Sequence, residues 1–239
     1  MPASRLSRRI GFRAARAAEV LFLFSFLLWS YSYWWYGNNS HELVGLAFFI
    51  LVGRHIFVRF RLVMNYFLRA LRQRANIGSA LAHLCLVTSI IVLFVSSLLV
   101  SKLLGSVLPR LGGITARQVH WFAAYWLAVF VGVHIGLHWN RFCGLSNRKL
   151  HGWDARKLQS GFGVAMGLAI FGFGIWSVDV LGLVQRLSSG YSIKFWNFRE
   201  SVVPFFAHWI GVIALAGLCT HLITIILADK GLKHKTPKI

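Results

Sequence analysis

Six apolar segments, each around twenty residues or longer, dominate this 239-residue chain and restrict what it can fold into. They are expected at about 17–37, 41–61, 77–103, 119–140, 161–184 and 205–228. A helix of twenty residues covers about 30 Å, the thickness of a hydrocarbon core. In lipid the backbone must satisfy its own polar groups, which a helix does segment by segment. Charged residues make up 13% of the chain, against about 25% in soluble domains. The expected fold class is therefore all-α: a polytopic membrane protein of about six transmembrane helices. One membrane domain spans 17–228, between a basic arm at 1–16 and a basic tail at 229–239.

The net charge of +20 is unevenly placed. The arm holds Arg5, Arg8, Arg9, Arg13 and Arg16, and the stretch 54–76 holds six arginines. The 141–160 loop holds five Lys or Arg and the tail four Lys, which leaves only six for the opposite faces. By the positive-inside rule both termini are expected in the cytoplasm. The basic residues set topology and can touch anionic headgroups of the membrane lipid; no nucleic-acid partner is expected. The basic-then-apolar start resembles a secretory signal, but its apolar run is longer and lacks a small-x-small site, so it is read as the first helix. Cys85, Cys143 and Cys219 are scattered, with no C-x-x-C-H and no C-x-x-C pair. Disulfides are not implied.

Two histidine pairs share one spacing. His41 and His55 enclose thirteen residues, and His120 and His134 enclose thirteen again. Fourteen helical steps leave two side chains about 40° apart and about 21 Å apart along the axis. Gly53 and Gly132 each stand two residues before the second histidine, which would let a flat macrocycle approach the backbone. The second and fourth spans run in the same direction, so the ligands fall at matching depths, His41 with His120 outside and His55 with His134 inside. That is the geometry for two b-type haems, each between two histidines, in a four-helix bundle core with two further helices. Six-coordinate bis-histidine iron suits electron transfer rather than oxygen chemistry. Without C-x-x-C-H, the haem must be held noncovalently. Histidines in hydrocarbon are costly singly, and four at organised depths ask for a common explanation.

Other residues carry open alternatives. His138, one turn after His134, is a second candidate inner ligand, a propionate or quinone contact, or an interfacial residue beside Trp139. His83 is read first as a polar helix contact at the inner depth, and as the substitute should one inner ligand fail. His208 and His221, thirteen steps apart, lie about 140° apart and do not form a third pair. His151 and His234 are read as solvated. Arg54 and Arg59 can serve inner propionates and Arg117 outer ones, or set topology and snorkel. Glu42 is a helix cap or a proton-exchange group; Asp179 is an isolated acid of helix five. Trp34, Trp35 and Tyr36 read as an interfacial belt. No Walker, dinucleotide, H-E-x-x-H or G-x-S-x-G motif is present.

The segment H-E-L-V-G-L-A at 41–47 running on to His55, with H-x13-H-x3-H-W at 120–139, resembles the flavinylation-associated cytochrome family, a bacterial group of membrane cytochromes b. The likeness covers roughly 41–140. It implies haem ligation at His41, His55, His120, His134 and His138 and service to extracytosolic redox partners that often carry covalent flavin. Similar spacing occurs in quinol-oxidising cytochromes b and in the cytochrome subunits of hydrogenases and formate dehydrogenases. The expected function is electron transfer across a bacterial inner membrane between a quinone or other donor and an extracytosolic partner. The alternatives are a membrane anchor for a multi-subunit oxidoreductase and, from another class, a divalent-metal transporter.

Overall fold

In the computed structural model the described residues are 3–73, 77–103, 113–139, 161–190 and 196–233, all helix, turn or coil with no strand among them. Seven helices are found among these residues: α1 (Ala3–Ser30), α2 (Tyr33–Gln73), α3 (Ile77–Val100), α4 (Ile114–Leu137), α5 (Gly161–Val180), the short α6 (Leu183–Leu187) and α7 (Val203–Lys233). Five segments are long and apolar enough to cross a membrane: Trp35–Asn65, Ile77–Val100, Ile114–Leu137, Gly163–Val180 and Val203–Leu227. This is the architecture of a multi-pass membrane protein. Large apolar side chains such as Leu43, Ile50, Leu168 and Ile226 are exposed along these helices, as expected where the solvent is lipid.

The first expected span is the one that differs. The apolar part of α1 is only Ala17–Ser30. It stops where Ser30 and Ser32 turn their hydroxyls back onto the Leu27 and Trp29 carbonyls and close the helix end. α2 then begins with a kink at Gly37, whose φ of 78° and ψ of −179° only glycine adopts without strain. Beyond that kink α2 continues through the basic stretch expected to join two helices, and ends at Gln73 rather than near 61. Leu, Met, Arg and Ala, all good helix formers, explain the extension. His151, His234 and the whole 141–160 loop lie outside the described residues.

The chain divides into two compact units, Met1–Ala75 with Leu98–Leu111, and Asn76–Ser97 with Gly112–Ile239. In the first, α1 packs on α2 and buries Leu27, Leu28, Val44, Phe48 and Val52. In the second, α7 packs on both α4 and α5. Small residues let these backbones approach. A Cβ on Gly132 would lie 2.4 Å from the Ile213 carbonyl oxygen and 2.7 Å from Ala216 Cβ, and one on Gly136 would lie 2.4 Å from the Gly217 carbonyl oxygen. The Gly-x-x-x-Gly seam of α4 is thus a helix–helix contact.

Candidate functional site: histidines in two units

His41 and His55 both lie on α2 beyond the Gly37 kink, and His120 and His134 both lie on α4. Each fourteen-residue step therefore runs along one uninterrupted helix. The matched glycines do not behave alike. Gly132 stands about 200° around the helix from His134 and faces α7, so the close approach it permits is that of a helix. Gly53 has open space, with nothing within 4 Å of a Cβ placed there.

In the second unit α3 serves both ends of α4. At one end His120 Nδ1 lies 3.4 Å from Ser96 Oγ and 3.3 Å from Ser97 Oγ. Both hydroxyls already donate to the Leu93 carbonyl, at 3.1 and 2.6 Å. They can only accept from His120, so Nδ1 carries the proton of the neutral imidazole and Nε2 keeps its lone pair. A hydrogen-bond partner that fixes one ring nitrogen is the usual setting of a histidine whose other nitrogen ligates a metal.

At the other end three imidazoles meet. The ring centroids of His83 and His134 are 5.1 Å apart, those of His83 and His138 5.3 Å, and those of His134 and His138 4.7 Å. One ring nitrogen of each falls within 4.8 Å of the others, and all three rings are half-buried. His83 Nδ1 donates to the Ser79 carbonyl at 2.6 Å, which leaves its Nε2 lone pair facing His138 Nε2 at 3.1 Å. His138 is the residue that caps α4, its backbone N–H returning to the His134 and Ile135 carbonyls. The sequence placed His134 and His138 here by helical spacing. His83 joins them from another helix, fifty-five residues before His138, and spacing within one helix cannot reveal which rings it meets.

The first unit holds His55 differently. Arg59 Nη1 lies 2.6 Å from His55 Nδ1. A guanidinium only donates, so Nδ1 accepts and neutral His55 bears its proton on Nε2. Glu19 of α1 completes the cluster: Oε1 is 3.5 Å from His55 Nδ1, 3.6 Å from Arg59 and 3.8 Å from Arg54. Glu19 was not singled out from the sequence, although it is the only acid in α1 and its side chain is buried. The arginines expected at inner propionates thus already share a carboxylate.

His41 meets Tyr33 edge-on, centroids 5.2 Å apart. Its neighbour Glu42 accepts from Asn38 Nδ2, from Ser101 Oγ at 2.6 Å and from the backbone N–H groups of Lys102 and Leu103 at 2.8 and 3.0 Å. Glu42 therefore anchors the chain leaving α3. Arg117 is exposed on the first turn of α4, and Asp179 is exposed at the end of α5. His221 packs against Trp139, centroids 5.6 Å apart.

The donor set suits a haem iron at His120, where the lone pair is on Nε2, whereas the three clustered imidazoles, their rings 4.7–5.3 Å apart, suit a single metal ion and leave no room between them for a macrocycle. A haem iron fits less well at His55, where Nε2 carries a proton. Compared with family models, curated proteins and solved structures, the chain matches none.

Proposed function

We propose that this chain is a membrane cytochrome b carrying two noncovalent haems, with ligands drawn from His41 and His55 on α2 and His120 and His134 on α4. The observation that supports it most is the pair of serine hydroxyls that accept the His120 Nδ1 proton, the kind of partner that orients a ligating histidine. Bound haem supplies one-electron redox chemistry, and two axial histidines exclude small substrates from the iron. The chain's own residues hold the ligands at two depths about 21 Å apart, one near each end of α4. Thus electrons pass between the two faces of a bilayer.

The charge distribution favours both termini in the cytoplasm of a bacterial inner membrane. A quinone donor and an extracytosolic, flavin-bearing acceptor are the partners this reading predicts. The same features suit the membrane anchor of a multi-subunit oxidoreductase, which would pass electrons identically. The three-imidazole cluster also favours a second reading, a divalent-cation path, because imidazoles suit zinc and copper without haem.

The test is a dithionite-reduced minus oxidised spectrum with a pyridine haemochrome count on detergent-purified protein. Two haems b per chain with low-spin bands are expected. No haem, after expression with ample haem supply, would sink the cytochrome reading.

A further inference from the structure

Two helices of the second unit bring three imidazoles to one level. α3 supplies His83, and the last turn of α4 with its cap supplies His134 and His138. Their ring centroids stand 4.7–5.3 Å apart, so the rings touch one another and leave no slot for a flat macrocycle. One nitrogen of each lies within 4.8 Å of the other two. That space suits one ion.

Coordination distances agree. Two nitrogens bound to one zinc at about 2.0–2.1 Å, at the tetrahedral angle, are about 3.3–3.4 Å apart. His83 Nε2 and His138 Nε2 are 3.1 Å apart, close to that spacing. His83 is held in a ligating tautomer: its Nδ1 donates to the Ser79 carbonyl at 2.6 Å, which orients the ring and leaves the lone pair on Nε2. Without a metal, that lone pair accepts the His138 Nε2–H. A cation takes the place of this one shared proton. His138 then carries its proton on Nδ1 and turns the Nε2 lone pair to the ion, so both rings stay neutral and no proton is released.

The donors select the class of ion. All three are imidazole nitrogens, with no carboxylate or thiolate in the group. Imidazole suits zinc and copper, whereas magnesium and calcium take oxygen ligands. Three protein ligands leave a fourth position for water or an added ligand, the pattern of an open zinc site. A transport path needs further ligands along its length. Among the described residues this is the one group of three histidines, cysteines or acids with ligand atoms so close. At the other end of α4, α3 offers His120 the hydroxyls of Ser96 and Ser97 instead.

We propose that His83, His134 and His138 form a mononuclear site for a zinc or copper ion, resident where α3 meets the end of α4 and open at one coordination position. The proposal rests on reading the cluster as a cation site, and replaces the path with a fixed centre. It takes His134 from the inner haem and leaves the outer histidines, His41 and His120, as they are.

In the experiment the full chain is purified in detergent without added metal, and its zinc and copper are measured beside the pyridine haemochrome count. Chelator-stripped protein is then titrated with Zn2+ and with Cu2+, and Cu2+ EPR reads the coordinated nitrogens. One ion per chain with three imidazole nitrogens is expected, and the ion retained through purification decides between zinc and copper. His83→Ala, His134→Ala and His138→Ala should each weaken binding by more than the about 10–100-fold that losing a supporting hydrogen bond costs. His83→Asp, which restores a ligand, should recover part of the loss, and His221→Ala, outside the group, should change nothing. Circular dichroism separates a lost ligand from a lost fold. Binding unaltered in all three alanine variants would overturn the proposal. So would two haems per chain with no stoichiometric zinc or copper uptake, a result that leaves the cytochrome reading standing. Zn2+ entering vesicles that contain the protein, with no ion retained on it, would overturn the fixed centre and keep the path. One ion per chain without any haem would uphold the site and remove the cytochrome reading.

Discussion

His208 and Ser177 are joined by a 2.9 Å hydrogen bond inside a wall of aromatic rings. Ser177 Oγ donates to the Phe173 carbonyl at 2.7 Å, so His208 must donate from Nδ1, as His120 does. Its surroundings are different. Phe173 stacks on it with centroids 5.3 Å apart and planes 9° apart, and Trp176 and Trp196 meet it edge-on. Among the described residues no second imidazole is part of this nest, and His208 is only 5% exposed. A ligand-ready proton arrangement is thus insufficient without a place for the cofactor. His208→Ala should leave the haem count unchanged while destabilising the α5–α7 contact by about 2–4 kcal/mol, through lost packing and loss of the hydrogen bond that Ser177 Oγ accepts. A haem count alongside a thermal melt in detergent separates the two effects.

The glycine seam makes a second prediction. Gly132→Leu would drive a side chain into the Ile213 carbonyl and Ala216, and should cost about 1–3 kcal/mol or part α4 from α7. Gly53→Ala meets nothing within 4 Å and should leave the fold intact. Haem lost from Gly53→Ala with an unchanged melting temperature would report a macrocycle against α2.

Ser96→Ala combined with Ser97→Ala removes both acceptors of the His120 Nδ1 proton. Outer-shell partners of this kind are worth about 10–100-fold in metal affinity. Haem transfer to an apo-acceptor protein should therefore run faster from one of the two centres. Equal transfer rates from variant and wild type would mean that the serines do not orient a ligand.

Glu42→Ala should act on structure before redox chemistry. It removes the acceptor shared by Ser101, Lys102 and Leu103, each a charge-assisted bond worth about 1.5–3 kcal/mol. Hydrogen exchange at the Lys102 and Leu103 amides should accelerate while the central part of α2 remains protected. Unchanged exchange there would return Glu42 to the role of a solvent-facing acid.

Composition and apolar run length sufficed for the helical class and for five of the apolar segments, because a bilayer leaves one way to satisfy a lone backbone segment. The two His-x13-His steps were legible because both lie on unbroken helices, where 100° per residue holds. What stayed hidden depends on partners. Gly132 looked like a neighbour of His134 in sequence, but two helical steps turn it away toward α7. His83 was placed at the inner depth as a polar helix contact, but which rings it meets depends on another helix. Glu19 was hidden among the arginines that neutralise it. The end of α1 depended on serine hydroxyls closing the last turn, a competition that hydropathy does not register.

The length of α2 carries a mechanical consequence. From the Gly37 kink to Gln73 the helix runs about 54 Å at 1.5 Å per residue, against about 30 Å of hydrocarbon. Even a 40° tilt, the upper end of what membrane helices adopt, brings its vertical reach down only to about 41 Å. Its far end must therefore stand clear of the acyl chains as a rigid strut in the headgroup layer or beyond. Whatever docks against that strut is coupled stiffly, with no intervening loop to absorb the movement, to the stretch of helix that carries His41 and His55.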